Sequence, residues 1–135
     1  MILAVILMAS GGEEIESFRF YIHLMKARKL QLSGIIEDFF SMNHFLNYMF
    51  MKKLQKYMPE MAAHIDDICY PEHCWLTKWW ISLFAGYLDN YLVLRIIDFI
   101  LVTSVLSVVD VGLALVFMLQ VRLLKADISD FNKII

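Results

Sequence analysis

The stretch WLTKWWISLFAGYLDNYLVLRIID, residues 75–98, decides the fold, because two short helical patterns meet in it across one turn. Leu76, Trp79, Trp80, Leu83, Phe84 and Tyr87 recur at i, i+3, i+4, i+7, i+8 and i+11, the spacing that lays side chains along one buried stripe of an amphipathic helix. Thr77, Lys78 and Ser82 then face outwards. Gly86 supplies a stop and the Asp89-Asn90 pair a new N-cap, after which Leu92, Ile96, Phe99 and Ile100 restart the helical period. Arg95 and Asp98 stand three apart on that second helix and are placed to pair.

Working towards the N-terminus, Pro59 followed by Glu60 opens a further helix, because proline is tolerated where a helix has no use for the first N–H. The segment Ile35 to Met58 is apolar nearly all round, with Phe39, Phe40, Met42, Phe45, Leu46, Met49, Phe50 and Leu54, and is expected to be buried on more than one side. It follows a break at Leu32-Ser33-Gly34. Before that, Glu13 and Glu14 sit at the positive end of a helix and Lys26, Arg28 and Lys29 at its negative end, the charge order that the helix dipole favours. Phe18, Tyr21, Ile22 and Met25 form its expected apolar face. The run Ile2 to Met8 is short for a signal peptide and no Lys or Arg precedes it, so it reads as a helix that begins inside a core.

The chain of 135 residues has 60% hydrophobic and 14% aromatic residues, enough to bury the core of one domain. Its formal charge of −2 shows no basic stripe along the sequence, so nucleic-acid binding has no electrostatic basis. Only 19% of residues are charged, which leaves apolar surface to be covered by a partner, a larger domain or a membrane. Nine methionines read as adaptable core filler.

The run Phe99 to Val121 keeps two readings open. About 20 apolar residues cross a bilayer, but Asp110 lies near its middle, where an acid costs roughly 2.5 to 3.5 kcal/mol on an insertion scale. A core helix and a membrane span are both compatible with the run. His64, Cys69, His73 and Cys74 crowd together around Pro71. They match no standard zinc knuckle, and His73 next to Cys74 would aim ligands apart, so structural thiols and a structural histidine are expected and no metal. The sequence has no Gly-rich phosphate loop, no Gly-x-Ser-x-Gly elbow and no His-Glu-x-x-His, and no cofactor or catalytic residue is assigned. The acid pairs Asp66-Asp67 and Glu13-Glu14 lie at helix ends as solvated charge.

The order Trp79, Trp80, Ile81, Ser82, Leu83, Phe84, a polar turn, then Leu94, Arg95, Ile96, Ile97, Asp98 resembles the second half of the TBC domain of Rab GTPase-activating proteins. Tyr57 to Ile65 is similar to the Pro-Glu-Leu-Ala-x-His-Leu stretch of that family, beginning at Pro59. The residues carried over as family-motif structural positions are Pro59, Trp79, Leu83, Phe84, Arg95 and Asp98. Departures are Ile97 and Arg19 at usual Trp positions, Ser104 at a usual Gly and Asp110 at a usual Arg.

The resemblance implies an all-α, irregular array of helices over residues 1–125 with a short tail at 126–135. It further implies a Rab-type small GTPase as partner, and a cytoplasmic chain at most peripheral on endomembranes. A small integral membrane protein or a helical scaffold is the alternative. The family supplies an Arg from Ile-x-x-Asp-x-x-Arg and a Gln from Tyr-x-Gln, and both belong upstream of the part that this sequence resembles. Here Ile35 and Asp38 are followed by Ser41 instead of Arg, and Gln31, Gln55 and Gln120 each lack the Tyr two residues earlier. The chain is therefore expected to hold only the C-terminal half of the domain, to lack both fingers, and to expose apolar faces prone to self-association, Ile2 to Met8 first among them.

Overall fold

The computed structural model describes residues 2–26 and 41–135. Met1, the Leu32-Ser33-Gly34 break, the Ile35 to Phe40 start of the apolar segment, Arg28, Lys29 and Gln31 lie outside the described residues. Among those described, eight α-helices carry the fold: α1 Ile2–Ala9, α2 Glu14–Lys26, α3 Ser41–Tyr57, α4 Pro59–Asp67, α5 Leu76–Ser82, α6 Asn90–Val102, α7 Ser107–Leu123 and α8 Ile128–Ile134. A 3₁₀ turn spans Glu72–Cys74. The all-α expectation holds.

Helix α5 is short and is the hub. Leu76, Trp79, Trp80, Leu83 and Phe84 are buried, as their spacing predicts, while Tyr87, expected on the same stripe, is 44% exposed because the helix ends before it; Trp75, outside that stripe, is buried as well. Around them Phe50 of α3 meets Trp75 edge to face at 5.5 Å, Trp75 meets Trp79 at 5.1 Å, and Trp80 meets Phe84 at 6.0 Å. Such edge-on pairs place a positive ring edge against a negative face and add about 0.5–1.5 kcal/mol each beyond area burial. The indole N–H groups of Trp75 and Trp79 find no acceptor among the described residues, so apolar and ring contacts alone hold those two rings.

The helix does not continue to Gly86 as the period predicts. It ends at Ser82, where Leu83 (φ 48°) and Phe84 (φ 63°) turn left-handed. Phe84 N donates to Trp79 O at 3.1 Å and Leu83 N to Trp80 O at 3.4 Å, the paired closure of a Schellman motif with leucine at the position glycine usually takes. A leucine there costs about 1–2 kcal/mol of backbone strain, and burial of Leu83 and Phe84 offsets it. Ser82, expected outside, is buried and bonds its hydroxyl back to Lys78 O at 2.8 Å.

Asp89 caps α6 as expected, its carboxylate accepting from Tyr91 N at 2.8 Å. The buried face is Val93, Ile96, Ile97 and Ile100; Leu92 and Phe99, expected inside, are exposed. They share their side of the helix with Arg95, whose charge keeps that side in water. The apolar run 99–121 is not one helix. It breaks between Val102 and Ser107, where Thr103 Oγ1 donates to Phe99 O at 2.6 Å and Ser107 Oγ bonds Thr103 Oγ1 at 2.8 Å. Hydroxyls that bond backward compete with helix continuation. No helix among the described residues is long and apolar enough to cross a membrane, so the span proposed for 99–121 is not present as a helix.

Three further expectations are corrected. Ile2, Val5 and Ile6 of α1 are buried against α2 and α6, so within the Ile2 to Met8 run they are not exposed, while Met8 at its end is 58% exposed. Phe18 of α2 is exposed, while Ser17 is buried and shares a 2.5 Å hydrogen bond with Ser10 that closes the α1–α2 turn. Helix α3 buries a single stripe, Asn43, Leu46, Asn47, Phe50 and Leu54, and leaves Phe45 and Tyr48 outside. The segment after 125 is helical, capped by Asp127 accepting from Asp130 N, and drives Phe131 into the core against Tyr70 and Trp75.

Candidate functional site

The positions singled out in the sequence fall into two groups. Trp79, Leu83 and Phe84 belong to the buried core, and Pro59 is an exposed residue that opens α4. Arg95 and Asp98 lie on the outer face of α6, 66% and 63% exposed, with Arg95 Nη1 3.5 Å from Asp98 Oδ2. The fold does not bring Arg95 and Asp98 into the aromatic core.

The histidines and cysteines of the cluster are spread over α4, the 3₁₀ turn and the loop between them. His64 Nε2 bonds the Ala126 carbonyl at 3.0 Å and so ties α4 to the chain leaving α7. Cys69 is an exposed free thiol in a left-handed turn (φ 50°), and Cys74 a half-buried one. Among the described residues no three His, Cys, Asp or Glu side chains converge as a metal site requires. Burial, with Cys74 and Tyr87 nearby, pushes the Tyr70 phenol above its ordinary range, so Tyr70 is a neutral donor at ordinary pH.

The arginines are accounted for in turn. Arg19 pairs with Glu16 at 3.0 Å on the exposed side of α2. Arg122 is exposed near the end of α7, where cations complement the helix dipole. No described arginine lines the cleft beside the α5 turn or the cleft between α3 and α7. Ile35 and Asp38 lie outside the described residues.

Two surface clefts lie among the described residues. One, of ≈ 560 Å³, is lined by Thr77, Lys78, Ile81, Ser82, Gly86 and Tyr87 beside the α5 turn. The other, of ≈ 450 Å³, runs between α3 and α7 and is lined by Lys53, Tyr57, Met58, Asp110, Leu113, Ala114 and Phe117. Lys53 and Asp110 form an ion pair across it. Asp110 also sits in the first turn of α7, where the helix dipole favours an anion.

Sequence reasoning missed Lys53 as the partner of Asp110, since 57 residues separate them. It also missed Asn47, whose Oδ1 accepts from Trp80 Nε1 at 2.8 Å inside the core. The i, i+3, i+4 spacing of Asn43, Leu46, Asn47 and Phe50 was the available signal for Asn47.

The fold thus buries Trp79, Trp80, Leu83 and Phe84 in one aromatic core and displays Arg95 and Asp98 on the outer face of α6. The family described as the Rab-GTPase-TBC domain matches residues 1–124, nearly the whole chain. The chain therefore belongs to the Rab-GTPase-TBC domain family.

Proposed function

We propose that this chain binds a Rab-type small GTPase and, acting alone, does not accelerate its GTP hydrolysis. The family match over residues 1–124 carries the choice of partner. The second half of the reading rests on the sequence, which contains neither Ile-x-x-Asp-x-x-Arg nor Tyr-x-Gln. Hydrolysis of GTP spreads negative charge over the γ-phosphoryl oxygens and needs an aligned water, so a GTPase activator must present a cation and a water-orienting group. Arg19 and Arg95 are each paired with a carboxylate of their own helix and are not poised for that role. In this reading residues 1–124 correspond to the C-terminal half of the domain, and any membrane association is peripheral, through the GTPase.

The test is a panel of Rab proteins loaded with GTP, assayed for binding and for single-turnover hydrolysis with the full chain in excess. Binding to at least one Rab without a rise in its hydrolysis rate is the expected result. Acceleration would overturn the claim about the fingers, and failure to bind any member of the panel would overturn the choice of partner.

A further inference from the structure

Helix α8 is joined to α7 by four residues, Leu124 to Asp127, with neither Gly nor Pro among them. Leucine, lysine and alanine are strong helix formers, and Leu124 keeps right-handed helical angles (φ −64°, ψ −16°). The chain turns there through two tightened bonds, Lys125 N to Arg122 O at 3.3 Å and Ala126 N to Leu123 O at 3.1 Å. What holds the turn lies outside it. Asp127 caps α8, His64 Nε2 bonds the Ala126 carbonyl at 3.0 Å, and Phe131 is buried against Tyr70 and Trp75. The bend is therefore set by the docking of α8 and not by the linker's own sequence.

Straightened, the linker would run α7 and α8 into one helix. Phe117, Val121, Leu124, Ile128, Phe131 and Ile135 follow one another at intervals of four, three, four, three and four residues, the spacing that lays a continuous apolar seam along a helix for another helix to pack on. In the bent form that seam is divided. Phe131 is buried, while Phe117, Val121 and Ile128 are 66%, 71% and 48% exposed. A second copy of the chain carries the same seam and the same site for Phe131, so it complements both.

We propose that two copies of this chain exchange α8: in each, α7 and α8 become one helix, and Phe131 enters the Tyr70–Trp75 site of the other copy. Exchange of an identical element retains its native contacts, which makes it a low-cost route to a dimer. It gives up the Asp127 cap and the His64 bond, gains i→i−4 bonds across the linker, and covers Phe117, Val121 and Ile128 along the paired seams. The proposal is independent of the GTPase reading.

The test is sedimentation of the full chain over a range of concentrations. The parent is expected to form a dimer whose share rises with concentration. Ile128→Pro should abolish it, because proline suits the first position of α8, after the extended Asp127 (ψ 178°), but cannot lie inside the continuous helix. Ile128→Ala, which trims the same side chain and leaves the helix free to continue, should still dimerise. Asp127→Ala removes a cap that only the bent form uses, in two chains per dimer, and should tighten the dimer at least about tenfold. A parent and an Asp127→Ala variant that both stay monomeric overturn the proposal, and so does a dimer that Ile128→Pro, folded by far-UV circular dichroism, leaves intact. Should Ile128→Pro not fold, Asp127→Ala decides: a dimer no tighter than the parent's overturns the proposal.

Discussion

Trp80 Nε1 donates a 2.8 Å hydrogen bond to Asn47 Oδ1, both groups buried, and this bond joins α5 to α3 at the centre of the molecule. Replacing Asn47 with Leu removes the acceptor and leaves a buried indole N–H unpaired. That should cost about 1–3 kcal/mol, whereas in a Trp80→Phe background, which already carries the cost of the smaller ring, the same Asn47→Leu change should cost much less because no N–H is left unpaired. Urea unfolding of the two single variants and the double variant measures the coupling. An additive double variant would show that the bond contributes nothing of its own.

Gly112 of α7 lies under the same indole. A Cβ there would stand 3.0 Å from Trp80 Cη2 and 3.3 Å from Phe50 Cε2. Trp80 is pinned by Asn47 and by Phe50 and Phe84, so it cannot yield by rotating. Alanine in place of helix-interior glycine ordinarily gains about 1 kcal/mol, while overpacking costs about 1–3 kcal/mol. Gly112→Ala is therefore expected to lower the melting temperature, and Gly112→Val to lower it further. A rise for the alanine variant would mean the indole moves freely.

Much of this packing was legible in the sequence, and the exceptions have physical causes. The spacing identifies Leu76, Trp79, Trp80, Leu83 and Phe84 as buried but fails at Tyr87, which lies beyond the left-handed turn where the helical period no longer applies. The helix end at Ser82 was not legible, since no propensity rule places leucine in the left-handed region. In α6 nearly every residue is apolar, so hydrophobicity alone does not fix the rotation, and Arg95 and Asp98 are what mark the water side. Asp110 read as a flaw in an apolar run because its partner Lys53 is remote in sequence. Arg95 and Asp98 could be placed on one helix, but their distance from the aromatic core could be seen only once the helices were assembled.

Tyr70 supplies a pH dependence. Burial raises its folded-state pKa above the ordinary value of 10.0. The folded chain then holds the phenolic proton more tightly than the unfolded chain. The stability from this group is complete below pH 10 and is lost as pH rises from there through the folded pKa. Tyr70→Phe keeps the ring against Phe131 and removes the titration. The difference in stability between variant and parent should be flat from pH 6 to about 9 and should shift in favour of the variant above about 10. A difference that stays constant to pH 11 would contradict this.

The Lys53–Asp110 pair makes a smaller contribution. Its side chains are 31% and 56% exposed, so solvent screens it even though it bridges two helices. A double-mutant cycle on Lys53→Ala and Asp110→Ala is expected to give a coupling of at most about 1 kcal/mol, falling as salt is added. A salt-independent coupling of several kcal/mol would mean that the pair is shielded from water.

The left-handed closure of α5 gives the prediction that separates backbone from side chain. Leu83 is almost fully buried, so Leu83→Ala should lose about 2–5 kcal/mol from the missing side chain. In an ordinary helix interior Leu→Gly would be worse still, by about 1 kcal/mol. At φ 48° the order should invert, because glycine relieves the strain of about 1–2 kcal/mol that any other L-residue incurs there while removing only one further carbon. Leu83→Gly is therefore expected to be more stable than Leu83→Ala by about 1 kcal/mol in chemical denaturation. The reverse order would place Leu83 inside a continuous helix and return the end of α5 to Gly86, where the hydrophobic period alone had put it.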